Sequence, residues 1–156
     1  MALRSALLNR ITRDREKGVV ARMSADRPLR VVIADDDAFA RRLIRRALQT
    51  AGMTVVAEAE HGREAVELAL IHRPDVVVVD AVMPWLDGVL ATRLIVNADP
   101  DRLVVVRTGA GEDELGPQAL GSGAVAAVPE DAELSALVRA VEGAGRGETA
   151  VAQAAG

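Results

Sequence analysis

Val31-Val32-Ile33-Ala34-Asp35-Asp36-Asp37 and Val76-Val77-Val78-Val79-Asp80 are the two stretches that decide the fold. Each is a short, nearly unbroken β-branched run, the pattern of a strand covered on both faces, as in a parallel α/β sheet. Each run stops at aspartate. Side chains just past the carboxyl ends of parallel strands meet in the crevice where such folds bind ligands. Carboxylates converging there repel one another and call for a cation. A few oxygen ligands with room left for phosphate suit Mg²⁺. The two stretches together specify a site for phosphate chemistry.

Outward from them the chain alternates. Arg30–Ala34 is the first strand, followed by a helix over about 36–49 with Phe39, Leu43, Ile44, Ala47 and Leu48 as its apolar face, stopped by Ala51-Gly52. A second strand over 54–58 and a helix over 61–72 follow; that helix carries Ala65, Val66, Leu68 and Ala69 and ends before Pro74. Strands over 75–80, 102–108 and 124–129 alternate with helices over 87–97, about 112–122 and 131–142. Gly116-Pro117 makes the fourth helix short, beginning near Pro117. Five βα units in a row imply right-handed crossovers and an α/β, three-layer, doubly wound, five-stranded parallel sheet. In the order 2-1-3-4-5, the aspartate-bearing strands flank the switch point.

The chain of 156 residues has the size of one domain. With one Phe, one Trp and no Tyr, its core is built of Val, Leu, Ile and Ala. The absence of cysteine excludes disulfides and thiolate metal sites and fits a cytoplasmic location. No apolar stretch approaches the ~20 residues of a membrane span, so no stable membrane insertion is expected. A net charge of −4 gives no reason to expect nucleic-acid binding. Residues 1–22 set six basic side chains against Asp14 and Glu16, with Leu3, Leu7 and Ile11 at helical spacing. Residues 1–28 read as a basic extension, disordered or partly helical, and 143–156 as a flexible Gly/Ala-rich tail around a domain at 29–142. Met23, directly before the first strand, is an alternative start. His61 and His72 fall at helix ends, in capping or exposed positions, and Trp85 is expected to pack partly against its own loop.

The ordered set of Asp35-Asp36, Asp80-Ala-Val-Met83-Pro84-Trp-Leu-Asp87-Gly88 and Thr108-Gly109 resembles the receiver domain of bacterial two-component response regulators, which has a flavodoxin-like fold. Gly62, Ala65 and Gly123-Ala124 also fall at that family's spacings, and the resemblance covers about 29–142. It implies that Asp80 is the phosphoacceptor. Asp35, Asp36 and Asp80, with the backbone carbonyl of Met83, would hold Mg²⁺, and Thr108 would donate its hydroxyl to a phosphoryl oxygen. The implied partners are a histidine kinase or phosphotransfer protein and a downstream protein. Beyond self-phosphorylation and self-dephosphorylation the resemblance implies no substrate turnover. Asp37 reads as a first-turn helix charge rather than a ligand.

One departure is decisive. The family's lysine at the end of the fifth strand falls here on Glu130, and Lys17 is the chain's only lysine. The aromatic switch residue of that strand falls on Ala127. Losing a donor aimed at developing negative charge costs about 10²–10³ in rate. A further carboxylate ~5 Å away adds about 3 kcal/mol of repulsion, so Glu130 must turn outward, bind metal or hold a proton, of which turning outward is the simplest. Arg107 sits where an apolar residue is expected. By strand alternation it diverges from Thr108, either paired with a carboxylate at the sheet's edge or standing in for the lysine. Two classes remain open: a single-domain response regulator phosphorylated on Asp80, or a degenerate receiver that binds its partner independently of phosphate.

Overall fold

The computed structural model describes residues 27–109, 114–148 and 150–151. Most of the basic extension, residues 110–113, residue 149 and the last five residues lie outside the described residues. The strands are β1 (Arg30–Ala34), β2 (Thr54–Ala59), β3 (Val76–Asp80), β4 (Leu103–Thr108), β5 (Ala126–Pro129) and β6 (Ala150–Val151). The helices are α1 (Ala38–Thr50), α2 (Gly62–His72), α3 (Gly88–Ala98), α4 (Leu115–Gly121) and α5 (Leu134–Gly145). All strands are parallel, in the order β2-β1-β3-β4-β5-β6. The expected 2-1-3-4-5 sheet is present, and a two-residue sixth strand extends it beyond β5.

Alternation divides the core between the two faces of the sheet. Val32, Ala34, Val77, Val79, Val104 and Val106 pack with Ala65, Ala69, Ile95 and Ala119 of α2, α3 and α4. Val31, Ile33, Val76, Val78, Val105 and Val128 pack with Ile44, Leu48, Leu137 and Val141 of α1 and α5. Central β3 is buried along its whole length, as its all-valine run requires.

The helix starts follow from their caps. The Asp37 carboxylate accepts from the N–H groups of Phe39 and Ala40, and that of Asp87 from Leu90 N–H. His61 Nδ1 accepts from Glu64 N–H at 3.2 Å, so the capping role read for this residue holds. Helix α4 has no side-chain cap and only seven residues, starting two before Pro117. Proline at its third position costs nothing, because the first-turn N–H groups have no intrahelical partner.

Three expectations need correction. Phe39 (62% exposed) and Leu43 lie outside the core. At about 100° per residue, Phe39 points roughly 140–180° away from Ile44 and Leu48, the pair that meets the sheet. Helix α5 runs to Gly145, three residues into the expected tail. A Cβ on Gly145 would come within 2.8 Å of Leu29 Cδ1, so this last residue of the helix is glycine where it packs closely against Leu29. Beyond it, Ala150 and Val151 pair with Ala126 and Ala127 on the free edge of β5, where unpaired backbone groups offer a ladder. The expected extension at 1–28 is tied down from Arg27, whose guanidinium holds both Asp75 oxygens at 2.8 and 2.9 Å.

Candidate functional site

The carboxyl ends of β1, β3 and β4 carry one row of side chains. Ala34 pairs with Val79 and Asp80 with Arg107, so Asp35, Asp80 and Arg107 stand side by side on the α1/α5 face of the sheet. All three are buried. Asp35 Oδ1 accepts from Asp37 N–H at 2.9 Å, and its Oδ2 accepts from Arg107 Nη1 at 2.9 Å. Arg41 Nη1 donates to the Asp35 carbonyl at 2.6 Å. Asp80 Oδ1 accepts from Val82 N–H at 3.2 Å.

The loop after β3 is held tightly under this row. Gly88 N–H donates to Ala81 C=O and Ala81 N–H to Arg107 C=O, each at 2.8 Å. A Cβ on Gly88 would lie 2.0 Å from the Asp80 carbonyl oxygen, so only glycine lets α3 begin so close to the site. Met83 lies in this loop with its side chain buried in the core. Thr108 is buried one step further along β4 and so points to the opposite face.

Oxygens of Asp35, Asp80 and Glu130 all lie within 4.8 Å of one another. Two of the expected placements change here. Asp36 is exposed and stands outside this group of three. Glu130 is solvent-exposed, yet it keeps an oxygen in the group instead of turning away. Its main chain explains why: Glu130 N–H donates to Thr108 C=O at 2.7 Å, which prolongs the β4–β5 ladder past Pro129 and anchors the residue at the crevice. The cap of α1 falls on Asp37, which leaves Asp35 free of that role. Arg107 does pair with a carboxylate, but that carboxylate is Asp35 inside the crevice, not one at the sheet's edge.

The electrostatics follow from this crowding. Burial, then the charge of Asp35, hold the Asp80 carboxyl at about 7, against the opposing pull of Val82 N–H. Burial likewise raises Asp35, although Asp37 N–H and Arg107 oppose it. Each carboxylate pair at such separations repels by roughly 3 kcal/mol at an effective dielectric near 20. One guanidinium cannot balance three carboxylates. The donor set is all oxygen, with neither histidine nor cysteine in the group, and it fits a hard divalent cation such as Mg²⁺.

Residues 31–142 match the response regulator receiver domain. The chain belongs to that family. It is 34% identical over 112 residues to the chemotaxis protein CheY of Thermotoga maritima, covering 72% of this chain and 93% of that protein. It is 40% identical over 115 residues to protein-glutamate methylesterase/protein-glutamine glutaminase 5 of Myxococcus xanthus, 72% of this chain but only 33% of that protein. The signal receiver domain of the response regulator NarL from Mycobacterium tuberculosis superposes with a TM-score of 0.74 at 32% identity, covering 78% of this chain and 99% of that one. The receiver's flavodoxin-like fold is therefore present, and the exposed Trp85 is a feature of its β3–α3 loop. This side chain is 89% exposed at φ 71°, with the His61 ring 6.1 Å away, so the expected packing within its own loop does not occur.

The sequence reading missed how Arg107 and Glu130 enter the site. Both follow from register. A residue level with Asp80 on the neighbouring strand shares its face, which was legible once Val104-Val105-Val106 was aligned with Val77-Val78-Val79.

Proposed function

We propose that this receiver is a response regulator that accepts a phosphoryl group on Asp80 from a partner histidine kinase or phosphotransfer protein. It then signals in the cytoplasm through protein–protein contacts. The observation that carries the reading is the placement of Asp80: buried, at the carboxyl end of the central strand, beside Asp35 and under the Val82 N–H.

An Asp80 oxygen attacks phosphorus, the bond from phosphorus to the donor's imidazole nitrogen breaks, and the nitrogen's electron pair takes up a proton. Backbone N–H groups after Asp80 donate to phosphoryl oxygens; the Thr108 hydroxyl, the further donor implied by family likeness, joins them only by turning in from the opposite face of the sheet. Asp35 and Asp80, with Asp36 and the Met83 carbonyl as the further ligands implied by family likeness, would hold Mg²⁺, which would supply charge neutralisation for the phosphoryl oxygens. With its carboxyl at about 7, Asp80 is only partly ionised in neutral, metal-free solution, so its reactivity rises as the proton is lost.

Glu130 favours a second reading. It brings a carboxylate to the group where a lysine would bring a cation, and Ala127 has no ring to switch. A receiver of this kind could bind its partner without phosphate. Beryllofluoride, which mimics a phosphoryl group on a carboxylate, separates the two readings. In Mg²⁺ it should alter Trp85 emission in the wild type and leave Asp80→Asn unchanged. No response in either protein supports the phosphate-independent module.

A further inference from the structure

Arg107 is a buried arginine in a row of valines, and its partner is an unusual one. To reach Asp35 from β4, its side chain crosses β3, the strand that carries Asp80. The two strands are separated by roughly 10 Å. The guanidinium then holds Asp35 Oδ2 at 2.9 Å, while Asp37 N–H holds Oδ1 at 2.9 Å. Both oxygens of Asp35 are engaged. Each oxygen keeps a lone pair for a divalent cation, but a cation seated there sits beside the Arg107 guanidinium and is repelled by it, whereas the other donor is an uncharged backbone N–H in the turn that starts α1. The donor in conflict with the cation is Arg107.

We propose that Arg107 is the resident counter-cation of the site: it holds Asp35 in the metal-free protein and surrenders it when a divalent cation binds, so the two events are one exchange. Two further facts favour exchange over a permanent pair. Burying a charged pair is sustained only while each charge keeps a partner, and the incoming cation gives Asp35 a new one. The freed guanidinium finds its own new partner nearby, because Asp80 is its register neighbour and Glu130 shares the same cluster. Arg107 thereby becomes available to a phosphoryl group on Asp80, in the place left without a lysine. This last consequence rests on the proposed function, whereas the exchange itself does not.

The test is calorimetric titration with MgCl₂ of the full chain, as wild type, Arg107→Leu, Arg107→Lys and Arg41→Leu. Arg41 is the control, since it is a nearby cation that meets Asp35 at the main-chain carbonyl rather than the carboxylate, its other partner being Glu60. Exchange predicts Mg²⁺ binding at least tenfold tighter in Arg107→Leu, an intermediate gain in Arg107→Lys, and less than threefold change in Arg41→Leu. Equal gains in the two leucine variants would reveal a general field effect and overturn the proposal, as would unchanged or weaker binding in Arg107→Leu.

If Arg107→Leu fails to fold, the wild type still decides. The Nε–H resonance of Arg107, assigned by its loss in Arg107→Lys, must shift and exchange faster with water as Mg²⁺ saturates. A resonance unmoved at saturation overturns the proposal. Exchange without phosphorylation of Asp80 would refute the proposed function alone, and phosphorylation without exchange would refute this inference alone.

Discussion

Asp80, the proposed phosphoacceptor, carries an energetic cost. Its carboxyl is held at about 7 in the fold against an ordinary 3.8, so between those values the folded chain keeps a proton that the unfolded chain has released. This contribution to stability is full below about pH 4 and is lost as the pH rises through 7. Asp80→Asn should therefore stabilise the metal-free protein by about 2–4 kcal/mol at pH 8 and by much less at pH 5. Urea unfolding in EDTA across that range is the check; an advantage that does not vary with pH contradicts the assignment. Arg107→Leu leaves Asp35 buried without its counter-charge and should cost about 2–4 kcal/mol in EDTA. Adding Asp35→Asn should recover much of that loss in a double-mutant cycle, because the pair and not the arginine alone is being broken. At this scale the sequence was half legible. Asp35 and Asp80 declared themselves by ending valine runs. Glu130 and Arg107 stood out as departures, but where their side chains meet was not legible, because it depends on neighbouring strands far away in the chain.

The elements follow local rules closely enough that their failures are informative. Helix α1 was given five apolar contacts, yet only Ile44 and Leu48 are fully buried. Leu48→Ala should cost about 2–5 kcal/mol, whereas Phe39→Ala should change thermal stability by no more than about 0.5 kcal/mol. Similar costs for the two would place Phe39 in the core and contradict the fold as described. Strands β1 and β3 were legible because residues buried on both faces must be apolar at every position. The end of α5 and the pairing of β6 were not, since Gly143, Gly145 and Ala150 read locally as loop. Their placement depends on Leu29 and on the open edge of β5.

Across the whole molecule, the proposed function requires the site at the carboxyl edge of the sheet to communicate with a partner surface. Ala127 carries no side chain able to switch between two positions, and Glu130 cannot pull on a phosphoryl oxygen. Phosphorylation should therefore shift partner affinity by less than about tenfold, or roughly 1.4 kcal/mol of coupling. Glu130→Lys should raise phosphoryl occupancy more than it raises that coupling, since Ala127 is unchanged. Binding isotherms of phosphorylated and unphosphorylated protein measure both effects, and a hundredfold dependence would show that another residue, Arg107 first, performs the coupling. All of this depends on Asp80 accepting phosphate. The most direct measurement is intact-mass analysis after incubation with acetyl phosphate and Mg²⁺. The account predicts one added phosphoryl group on the wild type, gained slowly, and none on Asp80→Asn. An unmodified wild type after long exposure, or a group that persists in Asp80→Asn, would contradict it.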